Sequence, residues 1–137
     1  MLGESSMAPP LPRWLAFVQG VFYVATGLWP LFHMPSFLAV TGPKADLWLV
    51  QAFGLLIAAV GVVFLWAWLR RRIDPAVVLA GIVVPTTLAF SDAYFVAKGD
   101  IPPIYLADAV AEAALAAAWL VIFASRRVQR RHAVPFS

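Results

Sequence analysis

The sequence predicts an all-α fold: an integral membrane four-helix bundle of up-down-up-down topology. Three observations carry that prediction. Of 137 residues, 63% are hydrophobic and 12% charged, where soluble domains carry about 25% charged residues. The mean hydropathy is +0.85, and a chain this short has too small a core to hide so much apolar surface from water. Four apolar runs, at about 14–33, 47–69, 75–97 and 103–124, each have roughly the ~20 residues that a helix needs to cross a bilayer. The chain divides accordingly into a polar tail, 1–13, a four-span domain, 14–125, and a basic tail, 126–137, expected to fray into solvent. The tail 1–13 has neither a basic leading segment nor a small-residue cleavage site, so it does not read as a signal peptide.

The first span places Gln19, Tyr23, Thr26, Pro30 and His33 on one helical face, with an apolar back for lipid. The loop 34–46 contains Pro35, Gly42 and Pro43, which are expected to break any helix, and its apolar residues suit a short segment folded over the bundle mouth. In the second span Gln51, Gly54, Ala58 and Gly61 share a face, a stripe of small residues that lets helix backbones approach in lipid. Gly20, off the polar stripe of the first span, is expected to tolerate a larger side chain better than Gly61 does. Asp74-Pro75 is a capping acid followed by a helix-starting proline. Because so few residues separate spans two and three, the two are expected to form a tight hairpin, and sequential helices to be neighbours. Pro85 interrupts the backbone bonding of the third span at Gly81, where Thr86 or Thr87 is expected to compensate. In the fourth span Tyr105, Asp108, Glu112 and Trp119 share a face.

Charge gives the orientation. All eight arginines lie at one set of span ends: Arg13, Arg70 to Arg72, Arg126, Arg127, Arg130 and Arg131. The two lysines, Lys44 and Lys98, lie at the other. The positive-inside rule then makes the protein multi-pass in the inner membrane, with both termini cytoplasmic. Arginines at span ends account for the basic pI of about 9.8 without nucleic acid as a partner. The chain has no cysteine, which removes disulfides and thiolate chemistry.

The candidate site follows from the intramembrane acids. A carboxylate at the bilayer centre costs roughly 2.5–3.5 kcal/mol, so it faces a partner or a polar cavity. Asp108 and Glu112, four residues apart, stack on one helix face, where two anions repel. Asp92 is a third acid inside an apolar run. Counted by helical rise, Asp92, Asp108, Gln51, Tyr94, Tyr105 and His33 fall in the outer half of the membrane, with Glu112 near the midplane and Thr26 on the facing stripe. These eight residues are the expected ligand-binding set. The acids suit proton relay, cation binding, or recognition of an amine or hydroxyl; the structural alternative is a buried network with Gln51, Thr26 or Tyr94. Lys44 and Lys98 are available to pair with Asp92 or Asp100. With no H-x-x-H or E-x-x-H pair, no metal is expected, and no phosphate-binding or nucleotide motif implies a cofactor.

Four short spans, a first helix with Gly20 and Gly27 among aromatics, and polar residues near the outer ends together resemble the small four-span bacterial membrane proteins termed DoxX-like. The resemblance covers residues 14–125 and implies the four-span fold; no catalytic set transfers with it. A remoter similarity is to the sterol-isomerase and sigma-2-receptor superfamily, also small bundles with intramembrane carboxylates, from which no residue carries over. The expected role is that of an accessory subunit of a larger membrane complex or a binder of a small lipophilic ligand, as a monomer or homo-oligomer in the lipid bilayer. The alternative is an enzyme or proton-coupled carrier using Asp108 and Glu112.

Overall fold

The computed structural model describes residues 11–133. Residues 1–10 of the expected polar tail, and 134–137 of the basic one, lie outside the described residues. The described chain is helical throughout: α1 Leu11–Phe32, α2 Met34–Thr41, α3 Leu47–Arg70, α4 Pro75–Ala97 and α5 Tyr105–Ala133. Four of these, all but α2, are long and apolar enough to cross a membrane.

Local chemistry sets the helix ends. Asp74 Oδ1 accepts the Val77 backbone N–H at 3.1 Å, and Pro75 opens α4. α3 ends at Arg71, whose φ of 56° is left-handed, and its N–H closes on the carbonyls of Ala67 and Trp68. Pro35, expected to break the first loop, instead occupies the first turn of α2, where a missing N–H costs nothing. The expected fraying of the basic tail is also corrected: α5 runs on through Arg126 to Ala133. Arg and Gln are good helix formers, and cations are favoured at a helix C-terminus. Pro85 is accommodated within α4, but not as expected. Thr86 and Thr87 bond to the carbonyls of Ile82 and Val83, at 2.6 and 2.8 Å, and neither reaches that of Gly81.

The bundle is two antiparallel hairpins. α1 packs along α3, and α4 along α5, while α1 also touches α5. The expected tight hairpin of α3 and α4 does not form: they are joined by a short turn yet share no extensive contact. The reason lies in where the small residues point. Gly54 and Gly61 of α3 meet Gly27 and Gly20 of α1 backbone to backbone. Gly81 of α4 makes room for the Trp119 indole of α5, which a Cβ there would meet at 2.5 Å. The glycines of α3 and α4 are thus all turned to other helices. At one end of the bundle Arg13 Nε donates to the Trp68 carbonyl at 3.1 Å, and Arg126 Nη1 to that of Ile73 at 2.7 Å. The arginines thus tie both hairpins at one face, as their segregation in sequence implies. A core of Ala16, Tyr23, Phe64, Val77, Val78, Trp119 and Ile122 fills this half of the bundle.

Gly20 is therefore part of the seam, contrary to expectation. A Cβ on Gly20 would meet Leu65 Cγ at 2.7 Å and the Gly61 carbonyl at 3.0 Å, and one on Gly61 would meet the Gly20 carbonyl and the Val24 backbone N at 2.8 Å. Overpacking such a contact costs about 1–3 kcal/mol or more. Gly20→Leu and Gly61→Leu are both expected to lower the unfolding temperature in detergent substantially. An unchanged unfolding temperature for either would contradict the seam.

Candidate functional site

The hairpins meet at a chain of buried polar side chains. Trp119 Nε1 donates to Gln19 Oε1 at 2.6 Å. Gln19 Nε2 donates to Tyr23 Oη at 3.2 Å, and the Tyr23 hydroxyl donates to Glu112 Oε2 at 2.6 Å. Gln19 and Tyr23 come from α1, Glu112 and Trp119 from α5, and all four are nearly inaccessible, at 0%, 1%, 2% and 0% exposure respectively. Spacing makes the match. Gln19 and Tyr23 are four residues apart, and Glu112 and Trp119 seven, so each pair presents one stripe of its helix.

The direction of the chain is dictated at one end. An indole N–H can only donate. Gln19 must therefore turn its oxygen to Trp119 and its NH₂ to Tyr23, which leaves the tyrosine proton for Glu112. Glu112 Oε2 is an acceptor in this arrangement, so a proton carried by Glu112 resides on Oε1. At Trp119 the run of side-chain hydrogen bonds ends in a group that only donates.

Glu112 and Tyr23 also line a cavity of about 670 Å³ in the half of the bundle away from the arginines. Ligand pockets commonly enclose about 300–1,000 Å³. Its walls are mainly apolar, including Val50, Phe53 and Ile57 of α3 and Leu88 and Phe95 of α4. α2 and the loop after it cover the mouth through Phe37, Val40, Thr41 and Lys44, so the expected segment over the bundle mouth is a helix. Asp92 of α4 faces Asp108 and Glu112 of α5 across the hairpin. Among the described residues Asp92 Oδ2 is buried with no hydrogen-bond partner.

Of the expected ligand-binding residues, Asp92, Asp108, Glu112, Tyr105 and Thr26 line this cavity. Thr26 contributes little polarity, because its hydroxyl donates to the Phe22 carbonyl at 2.7 Å. Gln51, Tyr94 and His33 do not line the cavity. Gln51 is exposed: α1 covers the Gly54–Ala58–Gly61 face, the cavity lies along one flank of it, and Gln51 is on the other. Tyr94 is also exposed and stacks on Phe90 with centroids 5.9 Å apart, beneath the Lys98 ammonium at 5.4 Å. His33 caps α2 instead, where its Nδ1 accepts the Ser36 N–H at 3.2 Å. The buried network expected with Gln51, Thr26 or Tyr94 exists, but its members are Gln19, Tyr23 and Trp119.

Lysine pairing also differs in part. Lys98 lies 3.6 Å from Asp100, as expected for neighbours in one turn. Lys44 pairs with neither Asp92 nor Asp100. Its ammonium donates to the Thr41 carbonyl at 3.0 Å and that of Gly42 at 3.2 Å, and lies 5.2 Å from the Tyr105 ring centroid. The cavity is thus lined by one cation, Lys44, from the loop after α2 and by three carboxyls from α4 and α5. No group of acidic and histidine residues that could hold a metal ion occurs among the described residues. Comparison with family models, curated proteins and solved structures yields no match.

Tyr23, Gln19 and Lys44 are the functional residues that the sequence-based set lacks. The first two were visible as a polar stripe. Which helix that stripe faces was not, since the period of a helix gives a face and never its partner. Tyr23→Phe removes the donor to Glu112, and Gln19→Leu leaves the Trp119 N–H unpaired. A buried polar group stripped of its partner costs about 1–3 kcal/mol. Each variant is expected to unfold earlier than the parent in a denaturant titration, and the double variant Tyr23→Phe with Glu112→Gln by less than the sum of the two. Strict additivity would show that Tyr23 and Glu112 do not act as a pair.

Proposed function

We propose that this chain is a DoxX-like, multi-pass protein of a bacterial inner membrane that binds a small lipophilic ligand carrying an amine or hydroxyl. One observation carries the reading: an apolar cavity of about 670 Å³ has the carboxyls of Asp92, Asp108 and Glu112 along its α4–α5 wall. Apolar walls suit the body of such a ligand, and the carboxyls accept its donor. Asp92 Oδ2, buried without a partner among the described residues, and Glu112 Oε1, left over from the Tyr23 bond, are the acceptors on offer. An anionic ligand would meet like charge along this wall. The proton-coupled carrier is the weaker reading, because the buried chain beyond Glu112 terminates in an indole.

Adamantylamine is a compact probe of this chemistry. Saturable binding is expected by calorimetry in mild detergent, and none for adamantane carboxylate. Glu112→Gln keeps a carbonyl for Tyr23 yet loses the charge, and a hydrogen bond to a charged group is worth more than about tenfold in affinity. The variant should stay folded and bind the amine correspondingly less. Unchanged binding by folded Glu112→Gln would remove Glu112 from the site, and amine-driven proton flux in vesicles would favour the carrier.

Orientation is part of the same proposal, supported by the arginines that gather at one face of the bundle. Cysteines placed at the exposed positions Ala45 and Gln129 are expected to label from opposite sides of the membrane, Ala45→Cys from outside. Labelling of both from one side would overturn it.

A further inference from the structure

The divergence of α3 from α4 leaves a second hollow, far from the acids. It is a groove of about 340 Å³ at the arginine end, between Val63 to Arg70 of α3 and Ala76 to Ala80 of α4. Phe64 forms part of its wall and packs on Trp119 at 6.0 Å behind it. The lower part is apolar, from Val63, Ala67, Val77 and Ala80, while Arg70 and Arg72 line the upper rim. We propose that this groove holds one anionic phospholipid, with an acyl chain along the apolar floor and the phosphate between Arg70 and Arg72.

Two arguments commit the occupant. An apolar hollow on a membrane-spanning surface is unfavourable empty, since its lining loses dispersion contacts, and unfavourable to water. Hydrocarbon fills it best, and the bilayer supplies that. The floor runs from Val63 to Arg70, about 10 Å of helix, which sets the tail directly below the charged rim. The rim then selects the headgroup. Among the described residues neither arginine is ion-paired; the pair found is Lys98 with Asp100, at the opposite end. The Arg70 guanidinium lies over the Trp66 ring at 5.6 Å, which holds it at the groove edge. Asp74, the one acid on the rim, accepts the Val77 N–H as the cap of α4. Arginine forks match phosphate oxygens, and basic residues at this depth attract anionic lipids.

The test is native mass spectrometry of the purified, delipidated full chain with phosphatidylglycerol or phosphatidylcholine of identical tails added back. Phosphatidylglycerol should be retained in preference, falling by about fivefold for each arginine lost in Arg70→Gln and Arg72→Gln. Phosphatidylcholine retention should not change in those variants. Ala76→Phe fills the groove from an exposed position, leaves the arginines in place, and should reduce retention of both lipids. It decides the matter should the arginine variants fail to insert. Equal retention of the two lipids, retention untouched by Ala76→Phe, or displacement of phosphatidylglycerol by excess glycerol phosphate, which would show a bare anion site, would each overturn the proposal.

Discussion

The bond between Tyr23 and Glu112 is the constraint on which the rest of this structure depends. A carboxyl buried among apolar helices is tolerable only with a partner, and the partner here stands on the other hairpin. To bring Tyr23 to Glu112, α1 must turn its polar stripe toward α5. α3 must then take another face of α1, and that face is the one carrying Gly20 and Gly27. The glycine seam and the polar chain are therefore two sides of one requirement on α1. Phe64 and Trp119 close the gap beside the chain with their rings 6.0 Å apart.

The same constraint divides the bundle into a packed half and a hollow half. Toward the arginines, the Trp119 indole occupies the space that Gly81 leaves open, and the core is filled. Toward the lysines, α4 and α5 present Asp92, Asp108 and Tyr105, and Trp29 of α1 and Phe53 of α3 stand at the walls without filling the space between. The cavity is what remains. α2 lies over it because His33 and Pro35 start a new helix just beyond α1, and Trp29 Nε1 donates to the Ser36 hydroxyl at 2.8 Å. A lid so tethered keeps the mouth near the apolar–polar boundary, with the Lys44 ammonium turned onto the carbonyls that end α2.

Within this frame α3 and α4 are connected without being paired. Helix packing in lipid rests on close approach and hydrogen bonds, because lipid tails are as apolar as the helix surfaces. α3 spends its small residues on α1, and α4 turns Gly81 to α5. A short turn alone cannot pull together two surfaces that gain nothing by meeting. The groove at the arginine end follows from that indifference.

Legible in the sequence alone were the four spans, the ends at Asp74-Pro75 and Arg70, the small-residue stripe of α3, and the acids as the exceptional feature. Each of these is a local property: length, apolarity, capping chemistry and the period of a helix are all carried by neighbouring residues. Only the tertiary structure decided which face meets which. It joined Gln19 and Tyr23 to Glu112 and Trp119, put Gly20 in the seam, and separated Gln51, Tyr94 and His33 from the cavity that took Asp92, Asp108 and Tyr105. In a span apolar on nearly every side, several faces bury equally well against lipid or protein. The choice among them rests on a few close contacts between residues up to a hundred positions apart, and no local pattern records those.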